Sequence, residues 1–251
     1  MTSKTFGTET ARRPHLVRDG KGGVGGEVGD LRSDVESAIA KMELRTGFPE
    51  LDWLDGGHAA AAGGDIVLKG RNLLAGQTFA SLTLGTGTSE LVFTALKPGE
   101  AGNDLTIEIE GGETAGSETV TKTGNAIVIG VEAGVSTADQ IATAVNADAA
   151  DTDGVLTCNG GGAGTDTAAV TAATALTGGA GDGFVCRVSG VECPPANTTG
   201  ANGGAAIDDD SATVTVPDLT AEVDARAVGD VAAIEIVSNG LHTKALTTVL
   251  A

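Results

Sequence analysis

The sequence predicts a mainly β fold, a β-sandwich or barrel-like arrangement with one or two short helices, led by an extended N-terminal arm and an amphipathic helix. Three observations carry that prediction. From residue 65 onward, short runs alternate apolar and polar residues between Gly, Asn and Pro punctuation, the period-two pattern of half-buried strands. Only one helical pattern interrupts those runs, too few for repeated βαβ units. Charge also divides the chain: residues 1–50 carry eight basic and eight acidic side chains, whereas the remainder carries seven and 26. The organisation expected is an extended arm (1–28), a helix and connector (29–64), a β-rich domain with one helix (65–181) and a second β-rich subdomain (182–251).

The arm is Gly-rich and slightly basic, with Arg12, Arg13, Arg18 and Lys21 among its charges. Such a segment is suited to ordering against an acidic partner. Its Lys21–Glu27 run resembles a phosphate loop only superficially. The positions that need a lysine and a hydroxyl hold Gly26 and Glu27, so nucleotide binding is not expected. Residues 30–43 then place Leu31, Val35, Ala38, Ile39 and Met42 on one helical face, with Asp30 as a cap. That stripe suits core or subunit packing. Phe48–Leu54 reads as an extended connector anchored by Phe48 and Trp53, and Ala59–Gly64 as a flexible break.

Strands are expected at 65–70, 79–84, 91–96, 105–110 and 126–131. Ser136–Asn146 follows as a helix, opened by a capping box of Ser136 with Asp139 and closed by Asn146. Residues 155–158 and 168–176 return to extended or mixed structure. Further strands are expected at 184–188, 212–216 and 232–237, and Asn239-Gly240 signals a hairpin turn into 241–250. Pro217 marks a strand end at an edge.

Composition narrows the function. Glycine, alanine and threonine make up 110 of 251 residues, beside five Phe, one Trp and no Tyr. A net charge of −19 argues against nucleic acid as a partner. No apolar run is long enough to span a bilayer, and Met1–His15 lacks the apolar core of a secretory signal, so synthesis in a reducing cytoplasm is expected. Cys158, Cys186 and Cys193 form no C-x-x-C pair and read as small buried hydrophobes. His15, His58 and His242 sit in no catalytic signature, so an enzyme is not expected. Asp148, Asp151 and Asp153 break the EF-hand spacing, and Asp208–Asp210 reads as a solvated loop, so no metal or cofactor is expected.

Thr94-Ala95-Leu96-Lys97-Pro98-Gly99-Glu100-Ala101-Gly102-Asn103-Asp104-Leu105-Thr106-Ile107-Glu108-Ile109 resembles a segment of tailed-bacteriophage structural proteins: a strand, P-G-x-A-G-N-[DN], then a second alternating strand. The likeness continues through Gly134–Ala147 and Thr174–Gly179, covering about residues 91–181. It implies a β-rich module of a virion surface, in capsid decoration, sheath or fibre proteins. In the residues themselves, Gly99, Gly102 and Asn103 are suited to a tight positive-φ link between two strands.

The function expected is therefore a structural virion protein, a capsid decoration or cement protein. Its arm and helix would dock on the major capsid protein through Arg12, Arg13, Arg18, Lys21, Leu31, Val35, Ile39, Met42 and Trp53. Homo-oligomerisation, as a trimer at a threefold site, fits that role. A tail or fibre component and a bacterial surface adhesin module are the alternatives.

Overall fold

The computed structural model describes residues 49–55, 59, 61–148, 152, 154–160, 166–196, 206–222, 224–243 and 245–251. The arm and the predicted helix at 30–43 lie outside them. The chain divides into two units, Met1–Gly47 and Phe48–Ala251, and all described residues belong to the second.

Fifteen strands and one α-helix form this unit among the described residues, and the sheets do not close into a barrel. Strand β1 is Glu50–Asp55, β2 Gly64–Arg71, β3 Ser81–Leu84, β4 Leu91–Ala95, β5 Thr106–Gly111, β6 Thr119–Thr123 and β7 Ala126–Val131. Helix α1, Ala138–Ala147, follows. Then come β8 Leu156–Gly160, β9 Thr171–Ala175, β10 Phe184–Val188, β11 Val191–Cys193, β12 Ser211–Val216, β13 Val231–Ser238, β14 Leu241–His242 and β15 Leu246–Val249.

Two separate hydrophobic cores organise the strands. One lies among β1-β2-β12 and the sheet of β11-β10-β13 with β14 and β15; it buries Leu68, Leu73, Phe184, Val188, Val214, Ile234 and Ile236. The other lies among β3-β4-β8, β6-β7-β5-β9 and α1; it buries Phe93, Ile107, Ile109, Ile127, Ile129, Ile141 and Leu156. The second core draws on residues 80–176, whereas the first is assembled from 51–73 and 184–250, with Leu96 added. A complete β-module is thus inserted between β2 and β10.

The inbound and outbound segments of the insertion run side by side. The Thr78 N–H donates to the Ala180 carbonyl (3.1 Å), and Ser81 and Thr177 exchange backbone hydrogen bonds of 2.8 and 3.0 Å. Buried Gln77 clamps the crossing: its Nε2 donates to Ser238 Oγ (2.8 Å) and its Oε1 accepts from the Gly183 N–H. The Asn239 carboxamide adds a bond from the Asp182 N–H and one to the Ala75 carbonyl, both 3.1 Å. A buried polar side chain is stable only when its hydrogen bonds are made, and here they tie the segments that enter and leave the inserted module to each other and to the end of β13.

The Pro98–Asp104 motif sits at this base. It makes no direct hairpin, because β4 and β5 lie in different sheets; a 3₁₀ turn at Glu100–Asp104 carries the chain between them. Gly99 alone of the three expected residues has positive φ (114°). Gly102 is required instead by closeness, since a Cβ there would lie 2.8 Å from that of Ala80. Asn103 acts through its side chain, donating to the Gly179 carbonyl and accepting from the Gly179 N–H, both at 2.9 Å. A Cβ on Gly99 would approach the Gly183 backbone to 2.8 Å. Gly99→Ala is therefore expected to cost about 2 kcal/mol, read by urea denaturation, from left-handed strain added to backbone crowding.

Other departures from the sequence expectation have local causes. Residues 50–55, expected as a connector, form β1 and pair antiparallel with β2. The expected flexible break is tied down: Ala59 and Ala61 are buried, and each shares a backbone hydrogen bond with Ala251. Strand β6, read as part of a polar turn, pairs with β7 through a Gly124-Asn125 turn, and β7 then runs parallel to β5. The helix starts one residue later than expected. Thr137 Oγ1 accepts from the Gln140 N–H, and Gln140 Oε1 accepts from the Thr137 N–H, so the box is Thr137 with Gln140. The Asn239-Gly240 turn forms as expected, with φ of 51° and 71°.

Asn146 does not end α1. It is buried in the last turn, where Nδ2 donates to the Cys158 carbonyl (2.7 Å) and Oδ1 accepts from the Cys158 N–H (2.9 Å). Strand β8 has only β4 as a sheet neighbour, so one carboxamide stands in for a missing strand. Asn146→Leu strands both backbone groups. A loss of about 2 kcal/mol is expected, together with faster amide exchange at Cys158.

Candidate partner-binding surface

Of the nine predicted partner-binding residues, only Trp53 falls among the described ones; Arg12, Arg13, Arg18, Lys21, Leu31, Val35, Ile39 and Met42 lie outside them. Its exposure follows from an irregularity in β1. Strict alternation from buried Leu51 would turn Trp53 inward. Instead the register slips between Leu51, opposite Gly70, and Trp53, opposite Lys69. The extra residue is Asp52, and this bulge lets Leu54 take the next inward position. Trp53 is left 52% exposed, a large apolar surface for one side chain.

Its cross-strand neighbour is charged. Lys69 lies opposite Trp53 on β2 and opposite Ser211 on β12, while Val67 lies opposite Asp55 and Thr213. Near the start of β1, Arg71 bridges Glu50 (2.7 Å) and Asp52 (3.3 Å). These side chains are more than a third exposed, so the pairs contribute little stability. What they do is hold the charges about an arginine beside the tryptophan. Further along the same surface, Thr215 Oγ1 donates to Asp65 Oδ1 (2.7 Å). The face thus combines one half-exposed aromatic with the paired charges of Arg71, Glu50 and Asp52.

Other places of chemical interest read differently. A cleft of about 370 Å³ beside α1 is lined by Gly116, Glu118, Asp139, Gln140, Thr143, Ala144 and Ala147. Burial there pushes the Glu118 carboxyl upward, but hydrogen bonds from the Gly116 N–H and Ser136 Oγ outweigh it and hold the group below its ordinary range. A depressed carboxylate stabilises the fold above its unfolded pKa and loses that contribution as pH falls through the folded one. Asp208, read as part of a solvated loop, accepts from the Asp210 and Ser211 N–H groups and so shapes its own turn. Among the described residues no three His, Cys, Asp or Glu side chains gather as a metal set. His242 is exposed on β14.

The three cysteines are free and buried. Burial pushes the Cys158 thiol far up, out of the reactive range. Cys186 and Cys193 face each other across β10 and β11, a proximity that their sequence spacing did not signal. No helix among the described residues is long and apolar enough to cross a membrane. No protein-family model matches the chain, and neither a curated protein nor a solved structure does.

Proposed function

We propose that this chain is a structural virion protein that binds and stabilises the assembled capsid of a tailed bacteriophage, as a decoration or cement protein. The observation that carries the reading is Trp53, turned outward by the β1 bulge and bordered by Lys69, Arg71, Glu50 and Asp52. That patch suits a protein partner, because a half-exposed indole gains most when a pocket of another protein desolvates it. The virion assignment draws its support from the likeness of residues 91–181 to phage structural proteins.

In this reading the major capsid protein is the partner, and the arm and helix of residues 1–45 dock on neighbouring capsid subunits. The acidic body faces outward, where net charge keeps a crowded shell surface from associating. Stabilisation is mass action: a ligand that binds only the assembled shell favours it by an amount rising with the logarithm of saturation. Trimerisation at threefold sites fits such a lattice.

The test is co-sedimentation with shells of the virus that encodes the chain, followed by a copy count. Saturable binding at shell-wide copy number is expected, with a higher shell disruption temperature. A few copies at one vertex would move the assignment to the tail, and absence of binding would remove it.

A further inference from the structure

The outer sandwich contains a dithiol that the proposed binding role does not use. Strands β10 and β11 form a tight hairpin through Ser189 and Gly190, both with positive φ. Its register sets Val188 opposite Val191, Arg187 opposite Glu192 and Cys186 opposite Cys193. Both thiols are free and buried in the outer core, and Cys186 also lies opposite Ile236 on β13. Directly opposed residues of an antiparallel pair have Cα atoms about 4.5–5.5 Å apart. A disulfide needs about 4.4–6.8 Å. The Cα spacing therefore falls in the disulfide range, and closing the bond draws the two Cβ atoms together by about 1 Å.

We propose that Cys186 and Cys193 are a redox pair that closes an intramolecular disulfide across the β10–β11 hairpin when the protein meets a small peroxide. The step balances. One thiolate attacks a peroxide oxygen, giving a sulfenic acid and releasing hydroxide, which the first thiol's proton converts to water. The second thiol then attacks the sulfenic sulfur and expels a second water as the S–S bond forms. Two thiols lose two electrons, and one hydrogen peroxide becomes two waters.

Three features support the pair as a unit. The interaction between the two adjacent thiols holds the Cys193 pKa below its ordinary value despite burial and, together with burial, pushes Cys186 well up. Strand β11 is a three-residue sheet edge paired only with β10, so small opening motions admit a small oxidant. A cleft of about 280 Å³ also reaches the hairpin tip at Ser189, Gly190 and Val191. The third cysteine has no such partner, because Cys158 belongs to the other core.

The experiment treats the full reduced chain with dilute hydrogen peroxide and counts thiols after denaturation. Three thiols are expected to fall to one, with a mass loss of about 2 Da for the two hydrogens removed. Trypsin cuts after Lys122, Arg187 and Arg226, so the bond must link peptide 123–187 to peptide 188–226, and fragmentation must place it at Cys186 rather than Cys158. In Cys193→Ser no intramolecular link forms. Where that variant does not fold, the tryptic map of the unaltered chain decides alone. Three surviving thiols, a bond involving Cys158, links between chains, or sulfinic and sulfonic products at these cysteines would each overturn the proposal.

Discussion

Trp53→Ala is expected to weaken binding to assembled shells at least about 30-fold, the equivalent of about 2 kcal/mol for a central hot-spot aromatic. The same substitution should leave the free protein's unfolding free energy almost unchanged, within about 0.5 kcal/mol, because the side chain is half exposed and outside both cores. That combination separates a binding role from a structural one. Leu54→Ala, one residue away and buried, should do the reverse: it loosens the outer core and costs about 2–4 kcal/mol of stability. Titration of labelled protein onto shells, paired with urea melts, reads both quantities. A Trp53→Ala chain that binds normally would place the partner's footprint elsewhere.

The second large effect concerns the inserted module. Phe93 is wholly buried and among the largest side chains in its core, so Phe93→Ala should cost about 3–5 kcal/mol. Because that core is separate from the outer one, the damage should be local. Amides of β5 and β7 should exchange faster, while those of β10 and β13 keep their protection. Phe184→Ala should show the mirror pattern. Equal loss of protection throughout would mean that the Gln77–Ser238–Gly183 clamp couples the two cores into one folding unit.

Most strands were legible because alternation is a local signal. Thr106–Gly111 buries Ile107 and Ile109 as the pattern demands, and Val231–Ser238 buries every second residue. What local pattern could not reveal was pairing. Nothing in sequence brings Ile66 beside Val214, or Cys186 beside Ile236, so the insertion of one β-module within another sandwich stayed hidden. The capping box was legible in kind but misplaced by one residue, since Ser136-x-x-Asp139 and Thr137-x-x-Gln140 overlap and only hydrogen bonding distinguishes them. Asn146 read as a stop because its affinity for turns outweighs a tertiary role that lies on another strand.

The candidate surface shows the same division. A solitary tryptophan stands out in so aromatic-poor a chain, and its place among Asp and Glu residues was visible. Its outward direction was not. Alternation from Leu51 points it into the core, and only the bulge at Asp52, set by pairing with β2, reverses it. Arg71, which collects Glu50 and Asp52 into one rim, is brought there by the same register.

The most direct measurement is hydroxyl-radical footprinting of Trp53, read by mass spectrometry, in the free protein and after saturation of assembled shells. The free indole should oxidise readily, in keeping with its exposure. On shells its oxidation should fall several-fold, together with that of Lys69 and Arg71. Equal oxidation in both states, with the chain demonstrably bound, would contradict the assignment of this sheet face as the grip on a partner.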